Sequence, residues 1–235
     1  MKFGALISTL GAAAMLAACA SPTSRFYTLG GGDTRPVPSA PASFYFELGP
    51  VDMPQQVAKN QLVVQTSPAQ VDVLEQERWA SLPADEVRRA LSADLTQQLG
   101  AIDVFGTPHP DSVPVYRVKM NVQRFESWPG SQALIDAVWS VRAVGEQTVL
   151  TCRTVVQERV GPGYDALVDG HRKAVDELAS AISAGVRSLG SLPRTTASAP
   201  AASTKGKSVG AATKPASAPL LPCPATSGAA TASAQ

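Results

Sequence analysis

The stretch VYRVKMNVQRF, residues 115–125, decides the fold because apolar and polar side chains alternate along it. A period of two places successive side chains on opposite faces of a β-strand, so one face is buried and the other is wet. Residues 132–144 and 147–158 show the same alternation. Turn-forming residues at 128–130 and 145–146 separate the three segments. The pattern therefore predicts an antiparallel three-stranded meander.

Two amphipathic helices are predicted beside this meander. The first spans residues 83–99 and ends at Gly100, and the second spans residues 165–189. Each carries one stripe of apolar residues, spaced three or four apart, that faces a core. Short strands are predicted at residues 44–48, 62–65 and 71–74. The order of elements predicts an α/β fold in which a single mixed, largely antiparallel sheet packs with two main helices.

Composition and charge exclude several classes of protein. The chain has 235 residues, of which 44% are hydrophobic and 17% are charged, and its net charge is +1. These values are typical of a globular domain, and they lack the basic excess of a nucleic-acid-binding protein, so no nucleic-acid partner is expected. Three cysteines and two histidines offer little for a disulfide framework or a metal site.

The N-terminus is predicted to be a targeting signal. Residues 1–18 contain one charge, Lys2, and an uncharged run shorter than the span of about 20 residues that crosses a bilayer, which indicates a secretory signal peptide. The run ends Leu16-Ala17-Ala18-Cys19, which resembles the lipobox of bacterial lipoproteins. That resemblance implies cleavage before Cys19, a diacylglyceride on its sulfur and an acyl chain such as palmitate on its amine. Because Ala20 is not Asp, it also favours the outer membrane, facing the periplasm. An Ala-x-Ala cut beside an unrelated cysteine is the alternative.

The mature chain divides into three predicted regions. Residues 19–42 form the lipidated N-terminus and a Gly- and Pro-rich linker, and residues 43–190 form the folded domain. Residues 191–235 are dominated by Ala, Pro, Ser and Thr, which predicts a disordered tail. All charges of this tail are positive. It is interpreted either as an inert extension or as a tether toward the cell wall or a partner.

No catalytic constellation emerges from the sequence. The nucleophile elbow, the zinc-protease motif and the phosphate-binding loop are all missing from it. His109 lies in a Pro-rich loop, and His171 lies on the apolar stripe of the second helix, where a hydrogen-bonded structural histidine is expected. Cys152 is expected to be an inert buried thiol, and its pairing with Cys223 in the tail is judged improbable because Cys152 points inward. The sequence predicts no enzyme, no cofactor and no metal.

Several exposed or β-prone residues are candidates for partner binding. Arg25, Phe26 and Tyr27 form a β-prone patch six residues beyond Cys19, which is expected to add to a sheet edge, either its own or a partner's. Trp79 precedes the first helix and either packs over its start or faces a partner. Trp128 lies at a hairpin tip, where its ring either packs on its own hairpin or faces a partner or lipid headgroups.

An ordered set of short motifs resembles a known family. After the lipobox cysteine these are Arg25-Phe26-Tyr27-Thr28-Leu29, Gly49-Pro50-Val51 with Met53-Pro54, Asn60-Gln61-Leu62-Val63-Val64, Glu77-Arg78-Trp79-Ala80 with Leu82, and Leu99-Gly100. Their order and spacing resemble the paraquat-inducible protein C (PqiC) family, the auxiliary lipoproteins of ABC-type transport systems. The resemblance covers residues 19–189 and does not extend to the tail.

The resemblance implies a non-enzymatic outer-membrane lipoprotein that works with a membrane-anchored mammalian-cell-entry (MCE) domain protein and inner-membrane transport components. Such systems are linked to phospholipid movement between membranes and to envelope integrity. Self-association into a ring is a further expectation, because the polar-faced strands and the Phe26-Tyr27 segment offer free edges. The alternative function is an assembly factor or chaperone lipoprotein of the outer membrane.

Overall fold

The structure, a computed structural model, describes residues 23–30, 43–192 and 221–224. Within these ranges the chain forms two sheets and two long helices. The elements are β1 (Arg25–Tyr27), β2 (Tyr45–Asp52), β3 (Gln61–Ser67), β4 (Gln70–Trp79), α1 (Pro83–Leu99), β5 (Val115–Trp128), β6 (Gln132–Ala143), β7 (Val149–Arg159) and α2 (Tyr164–Gly190). Both predicted helices and the predicted strands are confirmed, and the β-prone patch at Arg25–Tyr27 forms β1.

The predicted meander is confirmed and forms most of the larger sheet. Strands β5, β6 and β7 pair antiparallel, and β2 adds parallel to β5, so the order is β2-β5-β6-β7. The register shifts between Val122 and Arg124, where two polar residues in succession break the alternation. This bulge lets β5 continue to Trp128, beyond the alternating stretch.

The prediction of a single sheet was wrong, because β1, β3 and β4 form a separate sheet with the order β1-β4-β3. In this smaller sheet β3 pairs antiparallel with β4, and β1 pairs parallel with β4. Strand β3 also contacts β5, and Leu62, Val63 and Val64 are all buried although they alternate in direction. The two sheets therefore share one core without sharing a hydrogen-bonded ladder. Apolar alternation predicts which residues are strands, but it does not predict which strand edges are bonded.

Helix α2 packs closely on the larger sheet through two glycines. A Cβ atom at Gly170 would overlap the Val160 side chain and lie 3.0 Å from the Cβ of Ala133. A Cβ atom at Gly185 would lie 2.9 Å from the ring of Trp139. Both contacts are tighter than a methyl group tolerates, so glycine sets the distance between the helix and the sheet.

The larger sheet has two distinguishable ends, which α2 connects. We call the end with the turn between β5 and β6 the β5–β6 end. The turn that follows Trp128 lies there, together with the first turns of α2, where Gly170 faces Ala133. The opposite end, with the turn between β6 and β7, is the β6–β7 end. The turn around Gly145 lies there, together with the last turns of α2, where Gly190 faces Tyr116. Helix α2 therefore lies along the strands and extends from one end of the sheet to the other.

Cys152 is not a free thiol, so that expectation was wrong. It forms a disulfide with Cys223, and the two Cα atoms are 5.7 Å apart. Cys152 is only 3% exposed, but it lies on β7, the edge strand of the larger sheet, and Cys223 reaches it beside the Thr151 carbonyl. Leu192 and Leu221 pack against the core on the two sides of the intervening chain.

Residues 221–224, which the sequence assigns to a disordered tail, are thus covalently joined to the domain. The rest of that tail beyond residue 192 lies outside the described residues, as do the predicted signal peptide and Cys19.

Reduction of the Cys152–Cys223 disulfide is expected to lower the free energy of unfolding by about 4 kcal/mol, because the bond closes a loop with a sequence separation of 71 residues in the unfolded chain. Urea denaturation of the full chain with and without dithiothreitol measures the difference. In a Cys223→Ser variant, dithiothreitol should leave the denaturation curve unchanged. Equal stability of the oxidised and reduced chains would show that the bond adds nothing to the fold.

Candidate functional site

The N-terminal segment, residues 24–29, docks on the chain's own domain. Strand β1 pairs parallel with the last residues of β4, so that Tyr27 lies opposite Trp79. The Ser24 hydroxyl donates to the Gln76 side chain at 2.8 Å, and the Ala80 N–H donates to the Tyr27 carbonyl at 2.7 Å. Of the two alternatives for this segment, the structure thus favours its own sheet edge. Residues 24–29 thus contact the domain that the sequence predicts at residues 43–190.

The buried carboxylate of Glu86 fastens this segment to helix α1. Glu86 is fully buried, yet its oxygens accept hydrogen bonds from both the N-terminal segment and the start of the helix. The donors are the Thr28 hydroxyl at 2.7 Å, the Leu29 N–H at 2.9 Å, the Ser81 hydroxyl and the Arg89 guanidinium at 2.6 Å. Each oxygen is thus satisfied twice, which is what a buried carboxylate needs to remain ionised.

The pKa of Glu86 depends on the balance between burial and these hydrogen bonds. Burial by itself would raise the pKa, but the hydrogen bonds from Ser81, Thr28 and the Leu29 N–H, together with the charge of Arg89, outweigh burial and hold it below its usual value. The sequence places Glu86 near a helix start, where acidic residues are common. No sequence signal distinguishes it from its exposed neighbour Asp85.

Two further contacts fix the N-terminal segment, one to α2 near the β5–β6 end and one to β4. The Arg172 guanidinium, on the first half of α2, donates to the Thr28 carbonyl at 2.7 Å. The Tyr27 hydroxyl donates to the Glu77 carboxylate at 2.6 Å. Burial and this bond to Glu77 raise the pKa of Tyr27 to about 12, with a smaller contribution from Asp165 in the first turn of α2.

The five residues predicted to bind a partner fall into two groups. Tyr27 and Trp79 are 8% and 2% exposed, so their rings belong to the core and are unavailable to a partner. Arg25 is exposed, Phe26 is 67% exposed, and Trp128 is half-buried with its indole N–H donating to Glu126 at 3.0 Å. The structure therefore leaves Arg25, Phe26 and Trp128 as accessible candidates.

His171 is packed inside the core. Its ring is fully buried, stacks on Phe125 at 4.1 Å and shares a hydrogen bond with the Ser127 hydroxyl through Nε2 at 2.8 Å. Its Nδ1 has no hydrogen-bond partner. Burial lowers the pKa of His171 to about 3, so the ring is neutral at physiological pH. The expected structural histidine is confirmed, and it is more deeply buried than the helix pattern predicts.

His109 lies apart from His171, near Tyr45, with Nδ1 bonded to the Thr107 carbonyl at 3.1 Å. The described ranges contain no group of three or more His, Cys, Asp or Glu side chains that could hold a metal ion. No helix in those ranges is long and apolar enough to cross a membrane.

In the described part of the chain, the outer face of the larger sheet carries three ion pairs. Arg153 on β7 makes two hydrogen bonds, at 2.6 and 2.9 Å, to the buried carboxylate of Asp136 on β6. These bonds hold the pKa of Asp136 below its usual value despite burial. Arg117–Glu47 and Arg124–Glu126 form further pairs at 2.7 Å. This face therefore carries ion pairs both between strands and within β5, and the exposed Lys119 and Arg142 add positive charge to it, with Arg142 opposite Arg117.

The comparison with protein families agrees with this arrangement. A family model described as "ABC-type transport auxiliary lipoprotein component" matches residues 27–183, from the end of β1 to the second half of α2. The chain belongs to this family. The resemblance found in the sequence is thereby confirmed. The description of the family names a transport component and no enzymatic activity.

Solved structures share the fold of this auxiliary lipoprotein family member. A crystal structure of an uncharacterized protein is 20% identical and gives a TM-score of 0.56, covering 70% of this chain and 99% of that one. A protein from Xanthomonas campestris is 15% identical with a TM-score of 0.55, covering 71% of this chain and 96% of that one. A sequence comparison with curated proteins finds no significant match.

Replacement of Glu86 by Gln is expected to lower the free energy of unfolding by about 2–4 kcal/mol, because it removes the charge that four donors face in a buried site. Hydrogen exchange should also become faster at the Leu29 amide. Urea denaturation and hydrogen exchange of the full chain test both effects. Asp85→Asn, at the exposed neighbouring position, serves as the matched control, and an equal change in both variants would contradict the assigned role of Glu86.

Stability should fall between pH 6.5 and pH 5 because of His171. The unfolded ring binds a proton near pH 6.5, whereas the folded ring has a pKa of about 3, so acid favours the unfolded chain. One such group changes the free energy of unfolding by up to about 1.4 kcal/mol per pH unit. A His171→Phe variant should flatten this slope, and a Ser127→Ala variant should keep it. If the wild type and His171→Phe have the same slope in denaturation experiments across this range, His171 is not the group responsible.

Proposed function

We propose that this chain is an outer-membrane lipoprotein, acylated at Cys19, that faces the periplasm. In this proposal it serves as a non-enzymatic auxiliary subunit of an ABC-type system that moves phospholipid and contains an MCE-domain protein. The match of the auxiliary lipoprotein family model to residues 27–183 carries the proposal, because the match spans nearly the whole folded domain. The lipobox Leu16-Ala17-Ala18-Cys19 supports the lipid anchor.

The use of the buried polar groups supports a role in binding. Glu86 holds the N-terminal segment, Asp136 holds Arg153, and His171 is neutral and stacked on Phe125. Among the described residues, each of these buried ionisable groups is thus engaged in a structural contact. A subunit that works by docking needs a stable domain and an accessible surface, and it needs no reactive group.

Strand β7 offers a surface of this kind. It is an edge strand of the larger sheet, and its outer face exposes Val149 and Val155, which are 49% and 46% exposed. Residues 221–224 lie beside Thr151 and Cys152 on this edge, so among the described residues the stretch around Val155 is the part that suits the addition of a partner's strand. We therefore propose β7 and the neighbouring hairpin tip at Trp128 as the region that meets the transport partner.

Photocrosslinking in cells tests this role. A photoreactive amino acid at Val155 or Trp128 is expected to give crosslinks to an MCE-domain protein, identified by mass spectrometry. The same amino acid at Val118, which is fully buried on β5, is the control and should give none.

Crosslinks only to other copies of this chain, or only to barrel-assembly proteins, would contradict the transport role and favour a structural or assembly lipoprotein.

A second experiment tests whether Cys19 carries the lipid. Mass spectrometry of the mature N-terminus should find an acylated Cys19, and the acyl mass should be lost from a Cys19→Ser variant.

A further inference from the structure

The docked N-terminal segment shortens the connection between the proposed lipid and the domain. The sequence suggested a Gly- and Pro-rich linker at residues 30–41 between the anchor and the folded part. The structure instead binds residues 24–29 to β4, α1 and α2, so this linker joins β1 to β2 within the domain. The described chain begins at Thr23, four residues after Cys19.

A connection of four residues keeps the start of the described domain close to the proposed lipid on Cys19. A fully extended chain advances at most about 3.6 Å per residue, so Thr23 lies within about 14 Å of Cys19. The headgroup layer of one leaflet is about 5–8 Å deep. A domain acylated at Cys19 is therefore held against the bilayer surface, with strand β1 as its nearest element.

Phe26 is the side chain that this tether presents to the membrane. It is 67% exposed, the highest exposure among the large hydrophobic residues that the structure describes as exposed. It lies on β1, an edge strand of the smaller sheet, three residues after Thr23. Trp128 lies at the same β5–β6 end of the molecule, because Arg172 on the first half of α2 donates to the Thr28 carbonyl and Trp79, opposite Tyr27, packs against Phe125 on β5. Trp is favoured at the boundary between water and lipid, and Phe is among the apolar side chains that interfacial segments bury in the headgroup region.

We infer that the β1 edge is a membrane-resting surface, on which Phe26 inserts into the headgroup region of the bilayer that holds the lipid anchor. The inference rests on the proposed acylation of Cys19. The Glu77 carboxylate accepts a hydrogen bond from Tyr27, so the surrounding surface is not uniformly cationic and the contact depends on the apolar ring. The β6–β7 end, with Gly145 and the Cys152–Cys223 disulfide, then faces away from the membrane.

Depth-dependent fluorescence quenching tests this orientation. A Phe26→Cys variant of the full acylated chain carries one free thiol, because Cys19 is acylated and the other two cysteines form a disulfide. The thiol is labelled with an environment-sensitive fluorophore, and the protein is reconstituted into phosphatidylethanolamine–phosphatidylglycerol vesicles with or without lipids that bear a shallow nitroxide. Val144→Cys is the matched control, because Val144 is 48% exposed and lies at the β6–β7 end.

Quenching at position 26 is expected to exceed quenching at position 144 several-fold, and to persist when the salt concentration is raised. Equal quenching at the two positions, or none at position 26 in vesicle-bound acylated protein, would overturn the membrane-resting surface while leaving the lipoprotein role intact. An unacylated Cys19 in the mass spectrum would overturn both proposals. A crosslink from position 26 to a protein, with no lipid quenching, would assign the edge to a protein partner instead.

Discussion

The buried carboxylate of Glu86 is the constraint on which the arrangement of this domain depends. An ionised group inside the core is stable only while its donors remain in place, and two of those donors belong to the N-terminal segment. Glu86 thereby joins helix α1 to the segment that contains β1. Arg172 joins helix α2 to the same segment. The segment nearest the proposed lipid is thus fixed by the core, and the position of the anchor relative to the fold follows from it.

Much of the fold is predictable from the sequence because its physical origin is local. Alternation along residues 115–125 reports which face of a strand is buried, and Gly100 ends α1 in the left-handed conformation, with φ 63°, that glycine favours. The division into two sheets depends on which edges bond, and the Cys152–Cys223 bond depends on the approach of a distant segment to the β7 edge. Neither property is encoded in a short window of sequence.

The candidate surfaces show the same limit. Phe26 and Tyr27 are adjacent and both are aromatic, but the pairing of β1 with β4 turns Tyr27 into the core and leaves Phe26 in solvent. Trp79 faces the core for the same reason. The sequence identifies the patch, whereas the direction of each side chain requires the partner strand. The proposed docking role, with a lipid near β1 and an accessible part of β7, is compatible with the auxiliary family to which the chain belongs.

The disulfide also determines how mechanical load would pass through the molecule. A pull on the residues that follow Cys223 is delivered to Cys152 in β7 and bypasses α2, although α2 lies between them along the chain. The helix is consequently protected from being peeled off the sheet, and the load is shared by the hydrogen bonds between β7 and β6. Once that bridge is reduced, the same pull would act first on the last turn of α2.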